Sequence, residues 1–215
     1  MAKLNILTHP LVAEYLTILR DKNTDKHNFC VAIDKISYFL AADIYKNLSL
    51  ESYPITTPLK KTKGFRVKEN VVIMPVLRAG LGFTKGFIDL YPKVKVSHIG
   101  IFRNEHTLQP VNYYFKFPPV KDKNNTKVII LEPMIATGGS AIYAIKKLFE
   151  IGIKKVFVAS LIAAPEGIKE INNSFSKSQN ENITVTVCAY DEKLNDKGYI
   201  VPGLGDAGDR MFGTV

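Results

Sequence analysis

The sequence predicts an α/β fold in which a central, mostly parallel sheet is flanked by helices. Residues 128–131 and 156–163 are apolar runs, broken only by Ser160, and are rich in β-branched side chains, which is typical of strands buried on both faces. Between them, apolar residues recur at helical spacing over 142–149, and Gly152 stands where a helix C-terminal cap belongs. A strand, a helix and a second strand in this order form the crossover unit of a parallel sheet.

The same periodicities predict the remaining elements in chain order. Residues 11–20 and 29–48 each carry an apolar stripe at helical spacing, so two N-terminal helices are expected to pack on the sheet or on a partner subunit. His9, which precedes Pro10, is expected to cap the first of these helices. Further strands are predicted at residues 71–74, 94–102, 111–117 and 183–189. The second and third of these are expected to pair as an aromatic β-arm, and surface loops are expected at residues 60–63, 121–126 and 174–182.

The composition is that of an ordinary globular protein of one domain. The 215 residues are 46% hydrophobic and 23% charged, and no apolar run approaches the length of a membrane span. The N-terminus does not open like a signal peptide, and only Cys30 and Cys188 occur, so a reducing cytoplasm is expected. The formal net charge of +9 comes from basic residues spread along the chain, which suits a polyphosphate ligand as well as a nucleic acid.

A turn of small residues, A-T-G-G-S at 136–140, joins one predicted strand to the helix that follows it. Glycines let the backbone approach an anion, hydroxyls add donors, and the helix N-terminus supplies free N–H groups. The turn lacks the signatures of a P-loop and of a dinucleotide site. Glu132, a few residues earlier, suits the hydroxyls of a ribose rather than a phosphate. The turn therefore predicts a ribose-phosphate ligand, and the alternative is an ordinary tight turn with a helix cap.

Two further stretches are candidates for ligand contacts. Arg78 ends an apolar strand beside Gly80 and Gly82, where a guanidinium is costly to bury unless it meets an anion or a structural ion-pair partner. The tail at 199–210 is too rich in glycine for a helix or a strand. It is either a frayed terminus or a segment whose backbone groups reach a flat polar ligand.

Taken together, these motifs resemble the uracil phosphoribosyltransferases, a branch of the type I phosphoribosyltransferase fold. The likeness runs nearly end to end, and the C-terminal motif is its most specific part. The motifs are H-P-L-V at 9–12, V-L-R-A-G-L-G at 76–82, H-I-G-I-F-R-N-E at 98–105, A-T-G-G-S-A at 136–141, A-A-P-E-G at 163–167 and Y-I-V-P-G-L-G-D-A-G-D-R at 199–210.

The resemblance implies a type I phosphoribosyltransferase fold as a single domain over residues 1–215, with the β-arm at about 96–117 and a glycine-rich hood at about 190–215. It implies transfer of a phosphoribosyl group from phosphoribosyl pyrophosphate to uracil, giving UMP and pyrophosphate, with Mg²⁺ held mainly by the pyrophosphate. The residues it assigns to catalysis are Arg78, Arg103 and Asp206. Those it assigns to phosphoribosyl pyrophosphate are Arg78, Arg103, Glu132, Pro133, Met134, Ile135, Ala136, Thr137, Gly138, Gly139, Ser140 and Asp206. Those it assigns to uracil are Ile200, Gly205, Asp206 and Ala207.

Three positions depart from the family pattern, which usually has Asp at the positions of Glu132 and Asn104 and often has Arg at that of Cys30. A homodimer or higher homo-oligomer is expected through the aromatic arm, GTP is left open as an effector, and neither a membrane nor a nucleic acid is expected as a partner. Two other hypotheses are a regulatory protein on the same fold that binds RNA or UMP, and a catalytically weak paralogue in which Glu132→Asp would raise turnover.

Overall fold

The structure is a computed structural model and describes residues 1–103 and 110–214. Its helices are α1 (Pro10–Arg20), α2 (Lys26–Tyr45), α3 (Thr84–Leu90), α4 (Gly139–Glu150), α5 (Pro165–Asn173), α6 (Lys177–Asn180) and α7 (Ala207–Phe212), with a 3-10 turn at Ala79–Phe83. Both N-terminal helices are present as predicted. His9 caps α1, because its Nδ1 accepts a hydrogen bond from the Leu11 N–H at 3.1 Å.

In the described part of the chain, nine strands form one sheet. The strands along it are β1 (Lys3–Ile6), β4 (Asn70–Leu77), β5 (Lys95–Val96), β6 (His98–Arg103), β7 (Pro110–Lys116), β8 (Thr126–Leu131), β9 (Met134–Ile135), β10 (Lys155–Ala163) and β11 (Ile183–Tyr190). The order is β1-β11-β10-β8-β4-β6-β7, with β5 beside β4 and β9 beside β10. Every pair is parallel except β6 with β7, so the predicted mostly parallel sheet is confirmed.

The central strands bury both of their faces. Successive side chains of a strand point to opposite faces, so Val71 and Ile73 of β4 pack towards α1 and α2, whereas Val72 and Met74 pack towards α4. The predicted N-terminal helices therefore pack on the sheet. At the end of α4, Gly152 adopts a φ of +88° just beyond the last turn, as its predicted role in ending the helix requires.

The predicted β-arm belongs to the main sheet rather than standing outside it. Its first half breaks at Ser97 into β5 and β6, and both of these strands pair with β4. The Ser97 N–H donates to the Ile73 carbonyl, while its hydroxyl donates to the Lys116 carbonyl. The predicted antiparallel pairing with β7 is confirmed. The turn of the arm, residues 104–109, lies outside the described residues.

Two short hairpins complete the fold, and the sequence patterns predicted neither. The first joins β2 (Leu50–Thr56) to β3 (Lys61–Val67), and the second joins β12 (Lys193–Leu194) to β13 (Ile200–Val201). The lysine run at 60–63 was expected to be a loop, but Lys61 opens β3 and faces Thr56. Most residues of β2 and β3 are exposed on both faces, so these strands lack the apolar alternation that reveals a half-buried strand.

The loop expected at 174–182 is partly ordered into structure. It contains α6, whose N-cap Ser176 forms a capping box with Gln179, and its Asn180 is buried. Among the described residues, no helix combines the length and the apolar character that crossing a bilayer would need. Both cysteines are free thiols.

Candidate active site

A cavity of about 240 Å³ opens at the carboxyl ends of β4 and β8, the end of a parallel sheet at which ligands bind. It is lined by Val76, Leu77, Arg78, Ala79, Ile101, Phe102, Glu132, Thr137, Gly139 and Ser140. Sequence reasoning had assigned five of these to phosphoribosyl pyrophosphate, namely Arg78, Glu132, Thr137, Gly139 and Ser140. The two motifs that carry them are more than fifty residues apart in the chain and meet only here.

The glycine turn has the geometry of an anion cradle. Gly138 is the N-cap of α4 and adopts a φ of +82°, in the left-handed region that side chains other than glycine rarely occupy. The first intrahelical bond runs from the Ile142 N–H to the Gly138 carbonyl at 2.9 Å. The N–H groups of the preceding first turn therefore lack helical acceptors, and they point with the positive end of the helix dipole towards the turn.

A second glycine, which sequence reasoning left without a role, supports this turn from behind. A Cβ atom on Gly138 would come within 2.8 Å of the Gly167 carbonyl oxygen, and a Cβ atom on Gly167 would come within 2.4 Å of the Ala136 carbonyl oxygen. Two backbones therefore pack together without room for a side chain. The A-A-P-E-G motif at 163–167 was the sequence signal for this contact.

Glu132 lies at the base of the cavity directly after β8. Its N–H donates to the Ala159 carbonyl at 3.0 Å, which ties the residue to β10. Its Oε2 atom is buried and accepts no hydrogen bond within the described part of the molecule. Burial raises the pKa of the Glu132 carboxyl to about 7, and the Ser140 hydroxyl opposes this increase. Glu132 lines the cavity, and its carboxylate is the kind of group that accepts hydrogen bonds from hydroxyl donors.

Arg78 follows β4 and has one weak ionic contact. Its guanidinium lies 4.0 Å from the Asp209 carboxylate and 5.7 Å from the ring centroid of Phe212. The side chain is 59% exposed, so this pair contributes little to stability and leaves the guanidinium accessible from the cavity. The turn after Arg78 packs tightly, because a Cβ atom on Gly80 would come within 2.3 Å of the Leu131 carbonyl oxygen.

A second cavity, also of about 240 Å³, lies between the glycine turn and the hood. It is lined by Met134, Ala136, Lys197, Gly198, Tyr199, Ile200, Leu204, Gly205 and Asp206. It therefore brings together three residues assigned to uracil, Ile200, Gly205 and Asp206, with two residues of the phosphoribosyl loop. Lys197 and Tyr199 were not among the assigned residues.

Four other assigned residues with described side-chain positions line neither cavity. Pro133, Ile135, Gly138 and Ala207 are buried beside them. Arg103 ends β6, but its side chain lies outside the described part of the structure, as do Asn104 and Glu105. Within residues 1–103 and 110–214, no group of three His, Cys, Asp or Glu side chains is placed to hold a metal ion.

The hood is more regular than its sequence predicted. The expectation that it forms neither helix nor strand is wrong, because β13 pairs with β12 and α7 follows. Asp206 caps α7 by accepting the Asp209 N–H at 2.9 Å, and Gly213 ends the helix with a φ of +67°. Met211 anchors it in the core. The sequence signals were a capping aspartate, Asp206, and a terminal glycine, Gly213, which flank the six residues of the helix.

Comparison with known proteins agrees with this geometry. The family model described as uracil phosphoribosyltransferase matches residues 6–214. Proteins named uracil phosphoribosyltransferase from Finegoldia magna and Clostridium perfringens are 44% and 45% identical to this chain over 215 residues, which is 100% of both chains in each case.

Two solved structures show the same fold. The AQ2163 protein of Aquifex aeolicus superposes with a TM-score of 0.88 and 35% identity, covering 97% of both chains. An adenine phosphoribosyl transferase of Trypanosoma brucei, at 15% identity, superposes with a TM-score of 0.58 over 88% of this chain and 84% of its own. The predicted type I phosphoribosyltransferase fold is therefore confirmed, and the chain belongs to the uracil phosphoribosyltransferase family.

Proposed function

We propose that the two cavities form one active site, in which the chain transfers the phosphoribosyl group of phosphoribosyl pyrophosphate to uracil and releases UMP and pyrophosphate. Family membership and the names of its relatives support this reaction. The observation that carries it is the position of the loop at 132–140 between the cavities. Glu132 and Thr137 line one cavity, while Met134 and Ala136 line the other. A ribose phosphate held on this loop has a space for its leaving group on one side and a space for the base on the other.

The first cavity is suited to the phosphoribosyl half. The N–H groups at the start of α4, together with the Thr137 and Ser140 hydroxyls, bind the 5′-phosphate, and the Glu132 carboxylate accepts hydrogen bonds from ribose hydroxyls. Arg78 binds the pyrophosphate, with Arg103 as its expected partner. Breaking the bond to the anomeric carbon leaves negative charge on pyrophosphate, which a guanidinium stabilises without a protein nucleophile. Positioning and electrostatics therefore carry the reaction.

The second cavity is suited to uracil. Uracil presents an N–H donor between two carbonyl acceptors, and Gly205 has no side chain to keep its backbone N–H and C=O groups away from the base. Ile200 and Leu204 supply apolar contact for the flat ring. Selectivity among bases then depends on where the hood holds these backbone groups.

Magnesium is proposed to enter with the substrate. The residues described around the cavities offer no cluster of carboxylates or imidazoles that would retain an ion by themselves, whereas the oxygens of a pyrophosphate bind Mg²⁺ well. An Mg²⁺ ion bound there would neutralise charge that develops on the leaving pyrophosphate. The chain's own part is to orient this complex through Arg78 and the glycine turn.

The direct test is UMP formation from uracil and phosphoribosyl pyrophosphate, with cytosine, orotate and hypoxanthine assayed in parallel. We expect turnover with uracil alone, and we expect it to stop when Mg²⁺ is chelated. Turnover with another base, or none with uracil in a folded protein, would overturn the assignment. In the latter case, RNA and UMP binding would test the regulatory alternative. Adding GTP to the same assay tests whether it acts as an effector.

Replacing Asp206 with asparagine separates its role as the N-cap of α7 from its proposed role in catalysis. Asparagine caps helices as well as aspartate does, so we expect the melting temperature to stay within about 2 °C of the parent value. The variant loses a negative charge beside the ribose, on which positive charge develops, and kcat is expected to fall on the order of 100-fold. Calorimetry and steady-state kinetics measure the two effects. An unchanged kcat would remove Asp206 from the catalytic residues.

We also propose that the protein acts as a homo-oligomer in the cytoplasm. The exposed aromatic residues of the β-arm, Tyr113 at 57% and Tyr114 at 44%, together with exposed apolar residues of the β2–β3 hairpin such as Phe65, support an interface between copies. The molar mass from light scattering, compared with 24.0 kDa for one chain, tests this proposal.

A further inference from the structure

We propose that the C-terminal end of α1 anchors the base-binding part of the hood, so that Arg20, Asp191 and Arg210 position the uracil site without touching the base. This inference rests on the proposed function for its kinetic consequences, but not for its structural ones. None of these three residues lines either cavity. They act on Gly203 and Leu204, the two residues that immediately precede Gly205 in the wall of the second cavity.

The first link is a bidentate ion pair. The Arg20 guanidinium donates to both carboxylate oxygens of Asp191, at 2.9 and 2.5 Å, and also to the Gly203 carbonyl at 2.8 Å. The Gly203 N–H donates to Asp191 Oδ2 at 3.0 Å, so both polar backbone groups of Gly203 are bound by the pair. The Asp191 side chain is only 4% exposed. A pair with this geometry is held far more rigidly than an ion pair on the surface.

The backbone at both ends of this link, at Asp191 and at Gly203, is also constrained. The Asp191 N–H donates to the Ala163 carbonyl at 2.8 Å, which fixes the carboxylate to the end of β10. Gly203 is buried and adopts a φ of +65°, and a Cβ atom there would come within 2.1 Å of the Ile200 carbonyl oxygen. The anchor therefore holds a backbone conformation that only glycine accommodates.

The second link holds the next residue. The Arg210 guanidinium donates to the Leu204 carbonyl at 2.8 Å, to the Leu19 carbonyl, and to the Asp21 carbonyl at 2.7 Å. It also lies 4.2 Å from the ring centroid of Phe29 in α2. Leu19, in the last turn of α1, thus offers a carbonyl that the helix C-terminus leaves free to the cation that holds the hood, and Asp21, just beyond the helix, offers a second.

The consequence is specific to the base. The phosphoribosyl loop at 132–140 is held by β10 and Gly167, and it has no hydrogen bond to the three anchor residues. Loosening the anchor should therefore displace the wall of the second cavity, which includes Asp206, and leave the glycine turn at 136–140 unchanged. If the ion pair only stabilised the fold, its loss would lower the melting temperature or the fraction of active protein. The KM values for the two substrates would then not change differently.

The test is Arg20→Lys in the full chain, with Arg66→Lys as the matched control. Lysine keeps the charge but loses the planar fork. Arg66 also pairs with a carboxylate, Glu51, but on the exposed β2–β3 hairpin away from both cavities. For Arg20→Lys we expect the KM for uracil to rise about 10-fold or more, with less than about a twofold change in the KM for phosphoribosyl pyrophosphate. The control should change neither KM.

Amide hydrogen exchange provides a measurement that does not depend on activity. In the free protein, exchange at 203–208 is expected to be about 10-fold faster in Arg20→Lys than in the parent chain, with exchange at 136–140 unchanged. Arg210→Lys should give the same pattern, so the test remains available if Arg20→Lys fails to fold. Unchanged exchange in the hood, or equal changes in both KM values, would overturn the anchor. A parent chain that is inactive with uracil but shows the exchange effect would overturn the proposed reaction and support the anchor.

Discussion

Gly138→Ala is expected to lower kcat/KM for phosphoribosyl pyrophosphate on the order of 100-fold. Gly138 has a φ of +82°, which costs a residue with a Cβ about 1–2 kcal/mol, and the new atom would lie 2.8 Å from the Gly167 carbonyl oxygen. Neither backbone can move without displacing the other. The turn must therefore shift, and the N–H groups that meet the 5′-phosphate shift with it. Steady-state kinetics with saturating uracil measure the effect.

Gly152→Ala is the matched control for this prediction. Gly152 ends the same helix with nearly the same φ, +88°, but a Cβ atom there would meet only the Lys123 side chain at 3.5 Å. Both variants should lose stability through backbone strain, as urea unfolding would show. Only Gly138→Ala should lose its affinity for phosphoribosyl pyrophosphate. A comparable loss of activity in both variants would mean that strain in α4, rather than the shape of the cradle, controls catalysis.

Glu132→Gln is expected to change the pH dependence of stability. The pKa of the buried Glu132 carboxyl is about 7 in the folded chain, above the value of 4.5 for an exposed glutamate. The folded state therefore keeps a proton that the unfolded state releases, and the stability associated with protonated Glu132 is lost as the pH rises from about 4.5 to about 7. Glutamine does not titrate. The variant should consequently gain roughly 2 to 3 kcal/mol in unfolding free energy relative to the parent chain between pH 5 and pH 8.5.

Urea unfolding at the two pH values measures this difference, and Glu150→Gln serves as the control because Glu150 lies on the exposed face of α4. If the unfolding free energies of the parent chain and the Glu132→Gln variant changed in parallel with pH, the Glu132 carboxyl would be hydrated in solution and its pKa would not be raised. The same variant should also alter catalysis. Because the ionised carboxylate accepts ribose hydroxyls better than the acid does, the ratio of kcat/KM between parent and variant should rise with pH through about 7.

The sequence by itself determined the framework of the site. Strands β8 and β10 are mostly apolar because both of their faces are buried, and the turn at 136–140 is recognised from its glycines and hydroxyls. These are local patterns, and local physics is sufficient to interpret them. The C-terminal motif likewise identified three residues that line the second cavity, Ile200, Gly205 and Asp206, through a resemblance rather than through periodicity.

Only the tertiary structure decided how these parts meet. The β2–β3 hairpin carries no alternation because neither of its faces is buried, so its strands are fixed by pairing alone. The contact of Gly138 with Gly167 and the contact of Arg20 with Asp191 join residues far apart in the chain, and each residue type is common in turns or on surfaces. The Glu132 carboxyl is buried, and Gly138 cannot carry a side chain, only because the fold places distant parts of the chain against them.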